Sequence, residues 1–306
     1  MSLKILFMGT PEFAVPVLKS LSESEHKILS VYTQPPQKKF RGQKVIETPV
    51  HILSKKLNYE VRCPKNLSND NEYDFIKKLS PNVVVVVAYG QIIPEKILNI
   101  PNILFLNVHA SLLPKWRGAA PIQRSIMEMD EETGVSIMKI IKKLDAGPYL
   151  LQEKIKLKKN ENSESLAFRL SKIGSKLIVK ALKLISSGDA IFNEQEEVKA
   201  TYAKKINKNE CKINWDISAK QLIAKINGLS PFPGAWFEHN KNRIKIVEAT
   251  EVDVNGKIGE VLDNNLLIGC KKHSIQILRI QKEGKKILKT NDFLKGYKIL
   301  KGEVLN

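Results

Sequence analysis

Val83-Val84-Val85-Val86-Val87-Ala88 is apolar at every position. A strand with one wet face alternates apolar and polar residues. An unbroken β-branched run therefore predicts a strand buried on both faces, as in a parallel sheet covered by helices. The flanking sequence agrees. Residues 4–8 read as a strand, and Gly9-Thr10-Pro11 turns it into a helix around residues 12–21. Residues 28–33 read as a second strand. Helical patterns near 49–56 and 69–79 flank a strand at 59–62. A strand at 103–108, a helix near 119–127 and a strand near 134–140 follow. This alternation predicts an α/β, Rossmann-like, doubly wound parallel sheet.

A long amphipathic pattern over 163–186 ends at Ser186-Ser187-Gly188-Asp189, closing a first domain at residues 1–189. The polar segment 190–206 reads as a linker. Beyond it the pattern changes to a helix at 218–228 and short strand-like runs at 244–249, 259–262, 266–269 and 275–280, separated by Asn, Asp and Gly turns. Residues 207–306 are thus expected to form a small OB-like β-barrel.

Composition narrows the function. With 42% hydrophobic and 27% charged residues, the chain is neither disordered nor fibrous. Its net charge is +18, from 43 Lys and seven Arg against 32 acids. Residues 201–306 carry +9, as do residues 1–200 at nearly twice the length. The dense charge of the back half suits a polyanion such as nucleic acid, although a Lys-rich proteome would also produce it. Cys63, Cys211 and Cys270 stand far apart, with no CxxC pair and no metal-ligand spacing, so neither a disulfide framework nor a metal is expected. The longest apolar run has seven residues, and Pro11 and Glu12 interrupt the apolar start. A cytoplasmic protein with no membrane contact is expected.

Several residues could carry chemistry. Asn107 and His109 end one strand two residues apart, so both project to one face, where strand ends border a ligand crevice. Such a pair can stabilise an oxyanion and move a proton. Asp145, in Leu144-Asp145-Ala146-Gly147-Pro148, could orient the imidazole. Taken alone, these residues fit ordinary structural roles at least as simply. Less ordinary is the string Ser111-Leu112-Leu113-Pro114-Lys115-Trp116-Arg117-Gly118-Ala119-Ala120-Pro121-Ile122: a rigid apolar loop, an exposed-looking Trp–Arg pair, then small residues opening a helix. GxGxxG and the P-loop pattern are absent, which disfavours a dinucleotide site or a nucleotide phosphate loop.

Together, Asn107-x-His109 running into SLLPKWRGAAPI, with LDAG at Leu144-Asp145-Ala146-Gly147, resemble the 10-formyltetrahydrofolate-dependent formyltransferases. The opening Phe7-Met8-Gly9-Thr10-Pro11-Glu12-Phe13-Ala14 and the string VVVAYG ending at Gly90 are similar to that family too. In the back half, Lys212-Ile213-Asn214-Trp215 and Ser230-Pro231-Phe232-Pro233-Gly234-Ala235-Trp236 resemble the C-terminal domain of its tRNA-acting members. Pro148 departs from their pattern, which usually has Asp after LDTG or LDAG, and Phe40-Arg41-Gly42 replaces a glycine-flanked arginine.

The resemblance implies an enzyme that moves a formyl group from 10-formyltetrahydrofolate to the α-amino group of methionine on initiator tRNA. It assigns catalysis to Asn107, His109 and Asp145. Folate would lie along Ser111, Leu112, Leu113 and Pro114 and the strand-end turn Tyr89, Gly90, Gln91 and Ile92. Four cations in a seven-residue span, Lys38, Lys39, Arg41 and Lys44, would meet the tRNA. No metal is implied, and a monomer is expected. A glycinamide ribonucleotide enzyme would resemble only residues 1–200. A sugar-nucleotide enzyme keeps two similar domains and is a nearer rival, against which the +9 of residues 201–306 favours tRNA. A non-catalytic RNA-binding chain would have no reason to keep all three catalytic residues.

Overall fold

The computed structural model describes residues 2–39 and 44–305. Two compact units emerge, and neither is continuous in sequence. The first comprises Met1–Gly118, Thr133–Ile155 and Ala167–Tyr202; the second comprises Ala119–Glu132, Lys156–Leu166 and Ala203–Asn306. The sequence reading instead places single boundaries after residue 189 and before residue 207.

A seven-stranded sheet forms the first unit. Across it the strands are Tyr149–Lys156, Glu132–Lys139, Leu104–His109, Val83–Val87, Lys4–Gly9, Lys27–Tyr32 and Val61–Arg62. The last five pair in parallel. All of Val83–Val87 is buried, as its composition predicts. Leu6, Met8, Val84, Val86 and Phe105 pack with Ile76 and Ile97 in one core. Glu132–Lys139 pairs antiparallel with Leu104–His109, so the sheet is mixed, not wholly parallel. A parallel neighbour needs a crossover lying on the sheet. Here Ala119–Glu132, within the connection, groups with the other unit. The strand Tyr149–Lys156 had no signal strong enough to predict it.

Two expected irregular segments have structure. Residues 34–44, read as a loop, include an antiparallel pairing of Gln37–Lys39 with Lys44–Ile46. Backbone pairing there needs no hydrophobic alternation, so the pattern did not announce it. The segment 190–206, read as a linker, is tied down. Tyr149 and Asn193 exchange backbone hydrogen bonds of 2.9 and 2.8 Å, and Arg117 N donates to Thr201 O at 2.9 Å.

The second unit is an antiparallel sheet with one early helix. Its strands run Ala235–His239, Asn242–Val252, Ser274–Lys282 and Leu267–Gly269, with Leu288–Lys289 also on Ser274–Lys282. Register shifts around Glu248 bend the longest strand. The helix Ala219–Leu229 starts in a capping box between Ser218 and Gln221. It buries Leu222, Ile226 and Leu229 in one core with Phe237, Ile244, Ile246 and Ile275. The helix Pro121–Met127 packs beside it, close enough that a Cβ on Gly228 would meet Met127 Cγ at 2.5 Å. Residues 259–262, expected as a strand, contribute single bridges at Glu260 and Val261.

One edge of the first sheet is held by a polar cluster. Tyr32 donates its hydroxyl to Glu72 Oε2 at 2.6 Å, and Arg62 donates Nε and Nη2 to the two Glu72 oxygens at 3.1 and 2.8 Å. Arg62 also stacks 3.9 Å from the Phe75 ring centre. Burial, with the Glu72 bond added, pushes the Tyr32 phenol far above its usual range. Burial opposes ionisation of Glu72 too, but the bonds from Arg62 and Tyr32 outweigh it and hold the carboxyl below its ordinary value. A carboxyl depressed in the folded state contributes stability above its unfolded value of about 4.3 and loses it as pH falls through the folded value. Glu72→Ala should therefore cost about 2–3 kcal/mol near neutral pH, read from urea unfolding. That deficit should shrink below about pH 4. A deficit independent of pH would mean that the packing of Glu72, not its charge, matters.

Candidate active site

The carboxyl ends of Lys4–Gly9, Val83–Val87 and Leu104–His109 lie side by side in the sheet. Strand order reverses between the first two, which is where open α/β sheets bind ligands. The turns at these ends are tied together. Thr10 Oγ1 donates to Tyr89 O at 2.7 Å, and Gln34 Nε2 donates to the same oxygen at 3.2 Å.

Asn107, His109 and Asp145 come together as expected. His109 is buried and Asn107 half-buried at the end of their strand. Asn107 Nδ2 donates to Asp145 Oδ1 at 3.5 Å. Asp145 Oδ2 lies 3.8 Å from His109 Nδ1 and accepts the Gly118 N–H at 2.9 Å. His109 Nε2 sits 2.9 Å from Trp116 O. A carbonyl only accepts, so Nε2 carries a proton and Nδ1 is the nitrogen that faces the carboxylate. The Trp116 carbonyl thus fixes the imidazole on one side while Asp145 faces the other, and the Trp116 contact gave no warning in the sequence.

The expected folate segments divide. Ser111 is fully buried, and its hydroxyl donates to Lys115 O at 2.5 Å. Leu113 is also buried; its N–H donates to Ser136 Oγ, and its carbonyl accepts from Gln152 Nε2. Both residues are buried and hydrogen-bonded within the protein, so they shape the loop from inside. Leu112 and Pro114 are half-buried. Ser136 and Gln152, which brace the loop, lie too far away in sequence to be found by motif. In the other segment, Tyr89 is buried, while Gly90, at φ +85°, and Ile92 are exposed. Gln91 anchors its Nε2 on Pro64 O at 2.9 Å, but its Oε1 is buried with no hydrogen-bond partner.

Arg117, read as exposed, has no accessible surface at all. It is drawn inward by Gln195 and Glu197, at 3.0 and 2.9 Å. Arg41 lies outside the described residues, and the side chains of Lys38, Lys39 and Lys44 are likewise not described. Among the described residues, no group of three His, Cys, Asp or Glu side chains could hold a metal. No helix among them is long and apolar enough to cross a membrane.

The second unit holds a groove of about 620 Å³ that motif reading did not find. Four cations line it, Lys205, Lys208, Arg243 and Lys245, against one acid, Glu283. Phe232 is 79% exposed at its wall, with Lys245 Nζ 5.8 Å from the ring centre, and Arg243 stacks 4.5 Å from the Trp236 ring. Cations interleaved with an exposed Phe ring and a half-buried Trp ring can hold phosphates and stack bases.

Comparison with known proteins places the chain in a family. The family model described as Formyl transferase matches residues 3–182, and the one described as Formyl transferase, C-terminal domain matches residues 205–298. The methionyl-tRNA formyltransferase of Pelagibacter ubique is 49% identical over 304 residues, covering 99% of this chain and 98% of that protein. That of Parvibaculum lavamentivorans is 42% identical over 307 residues, covering 98% and 99%. Among solved structures, HypX from Aquifex aeolicus in complex with tetrahydrofolic acid shares the fold at a TM-score of 0.66 and 17% identity, covering 100% of this chain and 51% of that one. With both domains matched in order and close to half its residues shared with a full-length relative, the chain belongs to the formyl transferase family, among the methionyl-tRNA formyltransferases.

Proposed function

We propose that the chain transfers the formyl group of 10-formyltetrahydrofolate to the α-amino group of methionine esterified to initiator tRNA. The observation that carries this reading is the cluster of Asn107, His109 and Asp145 at the strand ends of a chain related end to end to methionyl-tRNA formyltransferases. When bound, the folate supplies the formyl carbonyl that the amine attacks. Asn107 holds the oxygen as it becomes an oxyanion. Its present bond to Asp145, at 3.5 Å, is at the outer limit for a hydrogen bond, so the amide can turn to a better acceptor at little cost. As the oxyanion collapses, the bond from the formyl carbon to N10 of the folate breaks and N10 leaves with a proton; His109 is the group in position to carry that proton from the amine, and Asp145 orients its ring.

The turn at Tyr89, Gly90, Gln91 and Ile92 fits the flat, donor-bearing end of a folate. The unpaired, buried Gln91 Oε1 wants an N–H, and exposed Gly90 lets a ring approach the backbone. Leu112 and Pro114 would supply apolar contact. Lys38, Lys39, Arg41 and Lys44, with the cationic groove of the second unit, would meet the tRNA. The protein is expected to act as a monomer in the cytoplasm.

Asn107→Ala, His109→Ala and Asp145→Ala should each lower kcat by about 10²–10³-fold with circular dichroism unchanged. Pairs of them should cost little more than singles. Near-normal turnover by folded His109→Ala would end this assignment.

Binding of charged tRNA by the full chain should weaken steeply between low and physiological salt. The logarithmic slope should be roughly −0.7 to −0.9 per phosphate neutralised. A flat salt dependence in filter binding would rule out the phosphate-based reading of the basic surface.

Arg41→Lys should lower kcat/KM for charged initiator tRNA about tenfold while leaving folate Kd unchanged. The planar guanidinium can pair with a phosphate in two places or stack on a base, and lysine cannot. Equal kcat/KM for the two proteins would reduce Arg41 to one more surface charge.

A further inference from the structure

Asp145 is held in a backbone conformation that few side chains tolerate. Its φ is +45°, in the left-handed region. Such a residue stays there only when its surroundings fix it by several contacts at once. One contact is made by its own carboxylate, which accepts the Gly118 N–H at 2.9 Å. The others come from a residue fifty positions away. The Gln195 side-chain amide donates to Asp145 O at 2.9 Å and to Gly147 O at 2.6 Å, so one NH2 group spans the turn.

Gln195 is itself oriented. Its Oε1 accepts from Arg117 Nε at 3.0 Å, and Arg117 has only donors, so the amide can face just one way. Arg117 is fully buried and pairs through Nη1 with Glu197 Oε2 at 2.9 Å, and Glu197 Oε1 takes Lys143 Nζ at 2.5 Å. The contacts close a ring. Arg117 leads by one peptide bond to Gly118, Gly118 bonds the Asp145 carboxylate, Asp145 O bonds Gln195, and Gln195 returns to Arg117. The main chain of Asp145 is therefore referred through Gln195 to the buried guanidinium of Arg117, and its side chain to the peptide that follows Arg117.

We propose that Gln195, set by the buried Arg117, is a positioning residue for formyl transfer: it holds the Asp145 turn so that the carboxylate faces Asn107 and His109. This rests on the catalytic reading above, in which Asp145 orients His109. Among the described residues Gln195 makes no hydrogen bond to His109 or Asn107, so it acts on them through the turn that carries Asp145.

The test uses the full chain, charged initiator tRNA and 10-formyltetrahydrofolate. Gln195→Ala should lower kcat about 10–100-fold, the scale of a displacement of about an ångström at a reacting group. KM for both substrates should stay within about twofold. Gln195→Glu keeps the acceptor for Arg117 but loses both donors to the turn, and should be impaired in the same way. Gln195 is only half-buried, so both variants should fold, with melting temperatures near the parent's. In an Asp145→Ala background, Gln195→Ala should cost nothing further, because a residue acting through another loses its effect when that other is gone. Wild-type kcat in Gln195→Ala, full activity in Gln195→Glu, or losses that multiply with Asp145→Ala would each overturn the proposal. Failure of the catalytic reading is separable, since it would appear as retained activity in His109→Ala.

Discussion

The site depends on a close approach of two backbone segments. At Gly147 a Cβ would lie 1.9 Å from the Lys139 carbonyl oxygen, a separation no side chain permits. Lys139 N donates to Pro148 O at 2.8 Å across the same approach. The chain can therefore leave the strand Glu132–Lys139, turn through residues 140–146 and fold back on the strand it has just left. This return brings Asp145 beside the ends of Leu104–His109. With any larger residue at 147, the turn would stand away from the sheet and the carboxylate would not reach Asn107 or His109. Pro148, the departure from the family pattern, follows this contact and gives up only an N–H; its carbonyl still takes the Lys139 bond.

Polar groups around the site are paired mainly with protein groups, which makes its geometry rigid before any ligand arrives. His109 is gripped by the Trp116 carbonyl, the Ser111–Pro114 loop by Ser136 and Gln152, and the Asp145 turn by Gln195. Buried polar groups without partners are costly, so each pairing also narrows the conformations open to the backbone. Among the described residues, Gln91 Oε1 is an exception, as are the Tyr89 hydroxyl and Arg117 Nη2, each buried without a hydrogen-bond partner. An unmet acceptor beside an exposed glycine marks a place where a ligand can supply what the fold leaves out.

Charge is distributed by a different logic. The second unit is basic mostly through Lys, whose flexible ammonium attracts phosphates without fixing a geometry. Arg is scarce, and several of the seven are committed to precise local contacts: Arg62 on Glu72, Arg117 on Gln195 and Glu197, Arg124 on Glu210, and Arg243 over Trp236. Net charge gives attraction and rate; paired guanidinium groups give shape.

The sequence by itself determined many of the elements and singled out the residues that meet at the strand ends. Val83–Val87 could only be a strand buried on both faces, residues 218–228 carried a helical pattern, and Asn107 with His109 had to share a face because strand side chains alternate. Those signals are local, and local physics suffices to read them. What only the tertiary structure decided are relations between distant residues. The antiparallel Glu132–Lys139 strand, the burial of Arg117, the grip of Trp116 O on His109 and the reach of Gln195 to Asp145 join positions seven to eighty residues apart. No periodicity or propensity encodes such contacts, because they depend on which surfaces meet once the chain has folded. Arg117 looked exposed because an arginine usually is, and it lies inside because acceptors from the supposed linker meet it there.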